Sequence, residues 1–231
     1  MMLSRRRYMG KVNGIIPASS YIQDGLIAMY DGIENAGAGQ HSDSATTWKD
    51  LSGNGWDLAL VGNGSSSWQD DHYNFVAVSN TGGKRFTVDA TDMSSVLTLE
   101  FCLQATGNIQ LIHFRNDFNF YIDGRNGGYA YTGINTVKAA KAFPFGKVSG
   151  SIDIGNNIMY RNNELCAAQS QGRQSCSANQ ELILGCLLYN GYRFYTSFKL
   201  HTIRLYNRVL TADERTHNYE LDVQRFGLET T

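Results

Sequence analysis

Short apolar runs alternate with clusters of glycine, asparagine, aspartate and serine along most of the chain. In the clearest run, Leu97, Leu99, Phe101 and Leu103 fall on one face at a period of two, which is typical of a half-buried β-strand. Further strands are predicted at 25–30, 58–61, 73–78, 85–88, 110–114, 119–123, 129–132, 147–160, 181–188 and 194–206. Strands that recur at short intervals, with turn residues between them, indicate a two-sheet sandwich.

The spacing of residues changes near the end of the chain, where it predicts a helix. Thr211 and Glu214 have the spacing of a capping box, in which each side chain accepts a hydrogen bond from the backbone of the other residue. Tyr219, Val223 and Phe226 follow as an apolar stripe at roughly helical spacing. The sequence therefore predicts an all-β fold of two antiparallel sheets with one short C-terminal helix.

The composition predicts an N-terminal arm and one domain. Residues 1–20 contain basic, glycine and serine residues without a periodic pattern, which predicts a basic arm or linker. Two interpretations of the arm stay open, a disordered tail and a segment that attaches the protein to a larger assembly. Residues 21–231 show no internal repeat, and 231 residues in total suit one large all-β domain.

The sequence argues against nucleic acid and against a membrane span, the first from its charge and the second from the length of its apolar runs. Twenty basic and 21 acidic residues give a net charge of −1, so the chain lacks the excess positive charge that nucleic-acid binding requires. No run approaches the ~20 consecutive apolar residues of a membrane span.

Lys11 and Asn13 interrupt the apolar stretch that a standard secretory signal peptide requires. We therefore expect cytoplasmic synthesis, with any release from the cell by another route.

The four cysteines do not have the spacing of a zinc site or of a CxxC motif. They are Cys102, Cys166, Cys176 and Cys186. Because no standard signal peptide precedes them, the sequence favours free thiols. A Cys166–Cys176 disulfide is the alternative if the protein meets an oxidant.

The last predicted strand and the residues after it carry a family resemblance. Residues 203–211, IRLYNRVLT, resemble the closing motif IDEVRIYNRALSAEEI of the laminin G-like members of the concanavalin A-like lectin and glucanase superfamily. Residues 48–55 resemble the D-x-S-G-N-G turn of that family, and residues 97–103 resemble its FTIEAWV strand. The resemblance covers residues 24–228 and implies a concanavalin A-like jelly-roll sandwich that binds carbohydrate.

The start of the chain and the segment 30–37 are also similar to proteins of gut Bacteroidales bacteria and their phages. This resemblance implies display on a virion or an extracellular surface after cytoplasmic synthesis. It also implies contacts of the N-terminal arm with virion or surface-assembly proteins.

The paired-carboxylate pattern of glycosidases with this fold is missing from the sequence, although carboxylates from separate strands could still meet in space. Glycosidases with this fold cleave with two carboxylates in an E-x-D-x-E or E-x-D-x-x-E pattern on one strand, and this chain has no such pattern. Glu100 is the only carboxylate on its predicted strand. We therefore predict that the protein is not an enzyme, and a glycoside hydrolase is the third choice of function.

Aromatic and polar residues in turns are the candidate carbohydrate site. Lectins stack an exposed aromatic ring on a sugar face and bind the hydroxyls with amides and charged groups. The segment 189–193 combines both kinds of group, and for each residue the alternative is packing in the core or a turn. The predicted ligand-binding residues are Tyr189, Asn190, Tyr192, Arg193, Tyr129, Tyr131 and Trp68.

The family resemblance further implies a calcium site, since laminin G-like modules often hold Ca²⁺ with oxygen ligands from loops. Asp31, Asn35 and Asp43 lie in the loop-rich opening segment and are the predicted ligands. The alternative is that these residues only form turns. No cofactor is predicted to be required for folding.

Two functions of different classes follow. The first is recognition of a glycan, such as a bacterial capsule, mucin or another surface polysaccharide. The second is a structural virion protein, a head fibre, a decoration protein or a tail component, in which the sandwich mediates protein contacts or forms a homo-oligomer. An exposed aromatic groove favours the first function, and a large flat apolar patch favours the second.

Overall fold

The structure, a computed structural model, shows a β-rich body with a single α-helix among the residues it describes. The described residues are 16–79, 82–90, 93, 95–105, 107–114, 118–123, 127–132, 135–138, 146–156, 158–168, 181–189 and 192–228. Strands are numbered along the chain, and α1 spans Ala212–Phe226. A 3₁₀ turn at Ala18–Ser20 precedes the first strand.

The first sheet has eight antiparallel strands in the order β14-β13-β12-β7-β18-β5-β4, and β1 also pairs with β18. Its strands are β1 (Leu26–Asp31), β4 (Ser67–Gln69), β5 (His72–Phe75), β7 (Thr98–Ala105), β12 (Gly146–Asp153), β13 (Ile158–Arg161), β14 (Glu164–Ala168) and β18 (Phe198–Tyr206). The long strands β7 and β18 pair with each other, and this pair forms the centre of the sheet.

The second sheet has eight antiparallel strands in the order β11-β10-β9-β8-β15-β6-β3-β2. Its strands are β2 (Thr47–Trp48), β3 (Leu58–Gly62), β6 (Lys84–Asp89), β8 (Ile109–Phe114), β9 (Phe118–Asp123), β10 (Gly127–Thr132), β11 (Asn135–Lys138) and β15 (Glu181–Leu184). Two further strands, β16 (Cys186–Tyr189) and β17 (Tyr192–Tyr195), pair only with each other among the described residues. We call this pair the β16–β17 hairpin.

The main core lies between the two sheets. Leu99, Phe101 and Leu103 of β7 are fully buried in it, as their alternation predicts. Trp48 is at its centre, with ring centroids 4.8 Å from Trp68 and 5.2 Å from Phe86. The predicted all-β, two-sheet antiparallel sandwich with one C-terminal helix is confirmed.

The helix begins and ends with the predicted caps. The Thr211 hydroxyl accepts a hydrogen bond from the Glu214 amide, and the Glu214 carboxylate accepts one from the Thr211 amide. Gly227 follows Phe226 with a φ of 64°, the left-handed conformation that glycine adopts without strain. The capping box is therefore confirmed.

The buried face of α1 differs from the predicted apolar stripe. Asn218, Leu221, Asp222, Arg225 and Phe226 are buried, whereas Tyr219 and Val223 are only partly buried. The reason is electrostatic, because the buried polar side chains pair with charged groups on the outer face of the first sheet. The periodicity of apolar residues alone could not predict this face.

Residues 16–20, which the sequence assigns to the arm, belong to the body. The Ala18 amide donates to Glu34 Oε1 at 2.6 Å, and Arg225 Nη1 donates to the Ile16 carbonyl at 2.6 Å. The body therefore includes residue 16, and the predicted boundary at residue 20 is too late. Residues 1–15 lie outside the described residues.

The structure bears on two further predictions, the state of the cysteines and the lack of a membrane span. Cys102 and Cys186 are buried free thiols, as predicted, and Cys166 is buried in the main core. Cys176 lies outside the described residues, so the alternative pairing with Cys166 stays a prediction. No helix in the described part of the chain has the length and hydropathy needed to cross a membrane.

Candidate functional site

The β16–β17 hairpin packs on the outer face of the second sheet. Leu182 and Leu184 of β15 point into the main core, so Ile183 between them points outward. Ile183, Cys186 and Tyr195 form a separate buried cluster under the hairpin. Burial raises the pKa of the Cys186 thiol to about 11, so this side chain packs as a small neutral group.

A sharp turn at Gly185 sets the direction of the hairpin. Gly185 has a φ of +83°, and its amide donates to the Leu111 carbonyl of β8 at 3.0 Å. A Cβ at this position would lie 2.3 Å from Cε1 of Phe75, far inside van der Waals contact. Glycine is therefore required for both conformation and space.

Polar contacts hold the returning strand β17 and the residues after it. Arg85 Nη1 donates to the Tyr195 hydroxyl at 3.1 Å, and the Gln110 amide donates to Thr196 Oγ1 at 2.8 Å. The Ala77 amide donates to Ser197 Oγ at 3.0 Å. These hydrogen bonds connect β17 and the two residues after it to both sheets, which fixes the position of the hairpin.

The opposite face of the hairpin presents aromatic side chains to solvent. Tyr192 is 67% exposed and Phe194 is 38% exposed. They are two residues apart on β17, so they share a face, and Phe194 pairs in register with Leu187 of β16. Arg193 is also exposed, but it alternates with these rings along β17 and pairs with Leu188, which packs against the buried cluster, so it lies on the other face of the hairpin. We call Leu187, Tyr192 and Phe194 the hairpin surface.

The structure brings some of the predicted ligand-binding residues to this surface. Tyr192 lies on it, and the backbone of Tyr189 pairs with Tyr192, whereas Arg193 lies on the other face of β17. Asn190 and the side chain of Tyr189 lie outside the described residues. Sequence reasoning missed Phe194, which it assigned to a strand without a site; its two-residue spacing from Tyr192 was the available signal.

Tyr129 and Tyr131 are on β10 of the second sheet, where only the backbone is described. In the pairing of β10 with β9, Tyr129 lies opposite Tyr121 and Tyr131 lies opposite Asn119. Asn119 in turn pairs with His113 of β8. Their side chains lie outside the described residues, so their proposed role in binding stays a prediction.

The prediction that Trp68 stacks on a sugar is wrong, because this side chain is in the core. Trp68 is only 5% exposed, and its ring centroid lies 4.8 Å from those of Trp48 and Tyr73. Its indole nitrogen donates to the Ala45 carbonyl at 2.8 Å. The polar residues beside Trp68 suggested a loop, but β4 points the ring inward.

The predicted calcium ligands are not assembled into one site. Asp31 is fully buried, and its Oδ1 accepts from Arg225 Nη2 at 2.8 Å and from the amides of Ile33 and Glu34. Burial raises the pKa of Asp31 to about 6, although Arg225 acts in the opposite direction. This carboxylate thus serves a turn and an ion pair.

The other two predicted ligands also have protein partners. The Asn35 side chain accepts from the Ser42 amide and donates to the Ser42 carbonyl, which closes a loop. The Asp43 side chain is 80% exposed and contacts His41 Nε2 at 3.0 Å. The geometry therefore matches the turn-forming alternative for Asp31 and Asn35.

Comparisons with known proteins agree with the fold. No family model matches the sequence, and no curated protein matches it. A mutant of Trypanosoma rangeli sialidase with trans-sialidase activity matches with a TM-score of 0.62 and 12% identity, over 89% of this chain and 34% of the sialidase. The likeness is one of fold.

Two further solved domains give similar matches. The binding domain of botulinum neurotoxin DC, solved with rat synaptotagmin II, has a TM-score of 0.59 and 9% identity over 86% of this chain and 52% of that one. Domain 4 of a GH43 extracellular arabinanase from Geobacillus stearothermophilus, solved with arabinotriose, has a TM-score of 0.58 and 14% identity. That match covers 85% of this chain and 97% of the arabinanase domain, whereas this chain spans a third to a half of the sialidase and neurotoxin chains.

Proposed function

We propose that the protein is a non-catalytic carbohydrate-recognition module of the laminin G-like type, which binds glycans through the hairpin surface. The observation that carries the proposal is the exposure of Tyr192 and Phe194 on a hairpin whose other face is buried. Exposed aromatic rings on a rigid support are the usual means of stacking on sugar faces, because little side-chain freedom is lost on binding.

The Tyr192 hydroxyl can supply a directional contact, because a phenol both donates and accepts hydrogen bonds. Arg193 is also exposed, but it lies on the other face of β17, so it can reach a ligand only around the edge of the hairpin. The proposed ligands are bacterial capsule, mucin or another surface polysaccharide. The arabinanase domain solved with arabinotriose and the neurotoxin binding domain support a binding role for this sandwich.

The test is a glycan array of bacterial capsular and mucin glycans, with and without calcium, followed by calorimetry on the strongest hit. We expect Tyr192→Ala and Phe194→Ala each to raise the Kd about tenfold or more, because a buried stacking contact contributes more than about 1.4 kcal/mol. Leu165→Ala is the matched control, since Leu165 is 57% exposed on β14, at the edge of the first sheet.

An unchanged Kd in both aromatic variants would remove the hairpin surface from the site. A clean negative array, with and without calcium, would favour the structural alternative. In that alternative, a virion fibre, decoration or tail protein uses Leu187, Tyr192 and Phe194 for protein contacts or homo-oligomer formation. Light scattering on the purified protein would then show an oligomer that Tyr192→Ala dissociates.

The non-catalytic part of the proposal is supported by the buried acids. Glu100 and Asp222 lie near each other, but Arg204 binds both and α1 covers them. We expect no release of reducing ends when the protein is incubated with a polysaccharide that it binds. Hydrolysis above the buffer rate would instead favour a glycoside hydrolase.

We place the module on a virion or an extracellular surface. The support is the resemblance of the segment 30–37 to proteins of gut Bacteroidales and their phages. The resemblance of residues 203–211 to the laminin G-like closing motif supports the assignment to that type of module. Residues 203–206 of this motif end β18, and the rest lead into α1.

A further inference from the structure

A cluster of three metal-ligating side chains lies on the first sheet, away from the hairpin surface. Asp71 precedes β5, His72 is its first residue, and His201 is on β18, 129 residues after His72. The antiparallel register of β5 and β18 pairs Leu200 with Tyr73, so the next step places His201 beside His72. Distant parts of the chain thus meet at one point.

A β-bulge in β18 sets the direction of the His201 side chain. On the β7 side, Leu200 pairs with Leu103 and Thr202 with Cys102, so His201 is the extra residue of a β-bulge. Bulges redirect a side chain and are frequent next to functional sites.

Gly32 holds the other side of the cluster in place. Its amide donates to the His201 carbonyl at 2.7 Å. A Cβ at Gly32 would lie 2.5 Å from the Asp71 carbonyl oxygen and 2.7 Å from the His72 Cα. The three backbone segments are therefore packed as closely as a glycine allows.

The ligand atoms are close enough for one ion. Asp71 Oδ1 lies 2.5 Å from His72 Nδ1, and Asp71 Oδ2 lies 3.3 Å from His201 Nδ1. His201 Nδ1 also donates to the Asp71 carbonyl at 3.1 Å, and an ion bound at Nδ1 would replace this hydrogen bond. One ligand atom from each residue lies within 4.8 Å of the others. Ligand atoms about 2.1 Å from an ion in tetrahedral geometry lie about 3.4 Å apart, so binding requires the widest pair to close by about 1.4 Å and the Asp71–His72 pair to open by about 0.9 Å.

The cluster contains an ionised carboxylate, Asp71, with a lysine nearby. Burial raises the pKa of Asp71, but hydrogen bonds with His201 and His72 outweigh it and hold the pKa well below its usual range. Lys147 Nζ lies 4.0 Å from Asp71 Oδ2, and it donates to the Phe226 carbonyl at the end of α1. His201 Nε2 is buried without a hydrogen-bond partner among the described residues.

We propose that Asp71, His72 and His201 bind one divalent transition-metal ion, for which Zn²⁺ is the best match. Two imidazoles and one carboxylate select such ions over Ca²⁺, which prefers six to eight oxygen ligands. Three protein ligands leave a fourth position, and the partial exposure of Asp71 and His72 opens it to water or to an oxygen ligand. The competing explanation is a metal-free cluster in which Asp71 only orders the two imidazoles.

The test uses untagged full-length protein that has been stripped with a chelator and then given Zn²⁺. We expect one equivalent of zinc by elemental analysis and a melting temperature raised by about 5–10 °C at 100 times the Kd. Co²⁺ in place of Zn²⁺ should give the intense visible bands of a four-coordinate site. This spectrum is read on the wild-type protein and does not depend on the folding of any variant.

Variants separate the site from adventitious binding. Asp71→Asn and His72→Gln should each lower zinc affinity about 100-fold or more, because each removes one of three ligands. His41→Gln is the matched control, since His41 also contacts an aspartate, Asp43, at 3.0 Å but belongs to no cluster of three among the described residues. It should keep one equivalent.

Several outcomes would overturn the proposal. They are no retained zinc in the wild-type protein, wild-type zinc affinity in both ligand variants, or a loss of zinc in His41→Gln equal to theirs. A Co²⁺ spectrum with only weak six-coordinate bands would do the same. None of these outcomes bears on glycan binding, which depends on the hairpin surface and is measured separately.

Discussion

Replacing Arg204 with methionine is expected to destabilise the folded protein by about 3–5 kcal/mol, the usual cost of leaving buried charges without their partner. Arg204 is buried between the first sheet and α1. Its Nε donates to Glu100 Oε2 at 3.2 Å, and its Nη1 and Nη2 donate to the two carboxylate oxygens of Asp222 at 2.9 and 3.0 Å. Denaturant titration of both proteins gives the difference in free energy of unfolding.

The pH dependence of this loss identifies its cause. Burial raises the pKa of Glu100 even with Arg204 present, and the variant removes the opposing charge. A carboxyl whose folded pKa lies above its unfolded value favours the folded state at low pH, and this contribution is lost as the pH rises through the folded pKa. The deficit of Arg204→Met should therefore shrink as the pH falls toward about 4. A deficit independent of pH would point to lost packing instead.

The matched control for this variant is an exposed ion pair. Lys49 pairs with Asp57 at 2.5 Å, and both side chains are substantially exposed. Lys49→Met should change the free energy of unfolding by less than about 1 kcal/mol. A similar loss in the two variants would contradict a special role for the buried network.

Gly185→Ala is expected to cost about 2–5 kcal/mol and also to weaken glycan binding. Part of the cost is the positive φ of +83°, about 1–2 kcal/mol for a residue with a Cβ. The rest is the clash with Phe75, since overpacking a core costs about 1–3 kcal/mol. Relief of that clash requires the β16–β17 hairpin to move, and the hairpin surface moves with it.

The control for Gly185→Ala has the same conformation without the clash. Gly53 has a φ of +87°, and nothing lies within 4 Å of a Cβ built on it. Gly53→Ala should therefore lose only the conformational part and leave the Kd for glycan unchanged. Equal effects of the two substitutions on stability and Kd would show that Phe75 does not hold the hairpin in place.

The sequence predicted the elements that depend on local patterns. The alternation at Leu99, Phe101 and Leu103 identified a core strand, and the Thr211–Glu214 spacing identified the start of the helix. Tyr192 was predicted as exposed because it sits in a polar and aromatic turn. Each of these predictions uses residues within a few positions of one another, so no knowledge of the tertiary structure was needed.

The features that sequence reasoning missed depend on residues far apart in the chain. Asp31 reads as a loop ligand, but Arg225, 194 positions later, makes it a buried ion-pair partner. His72 and His201 become neighbours only through the register of β5 and β18. Trp68 was misjudged because a short strand gives too few residues to show which side faces inward.

Residues 16–22 and α1 share one set of contacts on the outer face of the first sheet. The Ile22 amide donates to the Asn218 side chain, and the Tyr21 hydroxyl donates to Asp222. The hairpin packs on the outer face of the second sheet through Ile183, Cys186 and Tyr195, so the hairpin surface and α1 are on opposite faces of the sandwich. If the protein binds glycans as proposed, attachment on the side of Ile16 would leave the hairpin surface uncovered, and several attached copies would bind with an avidity that exceeds the affinity of each site.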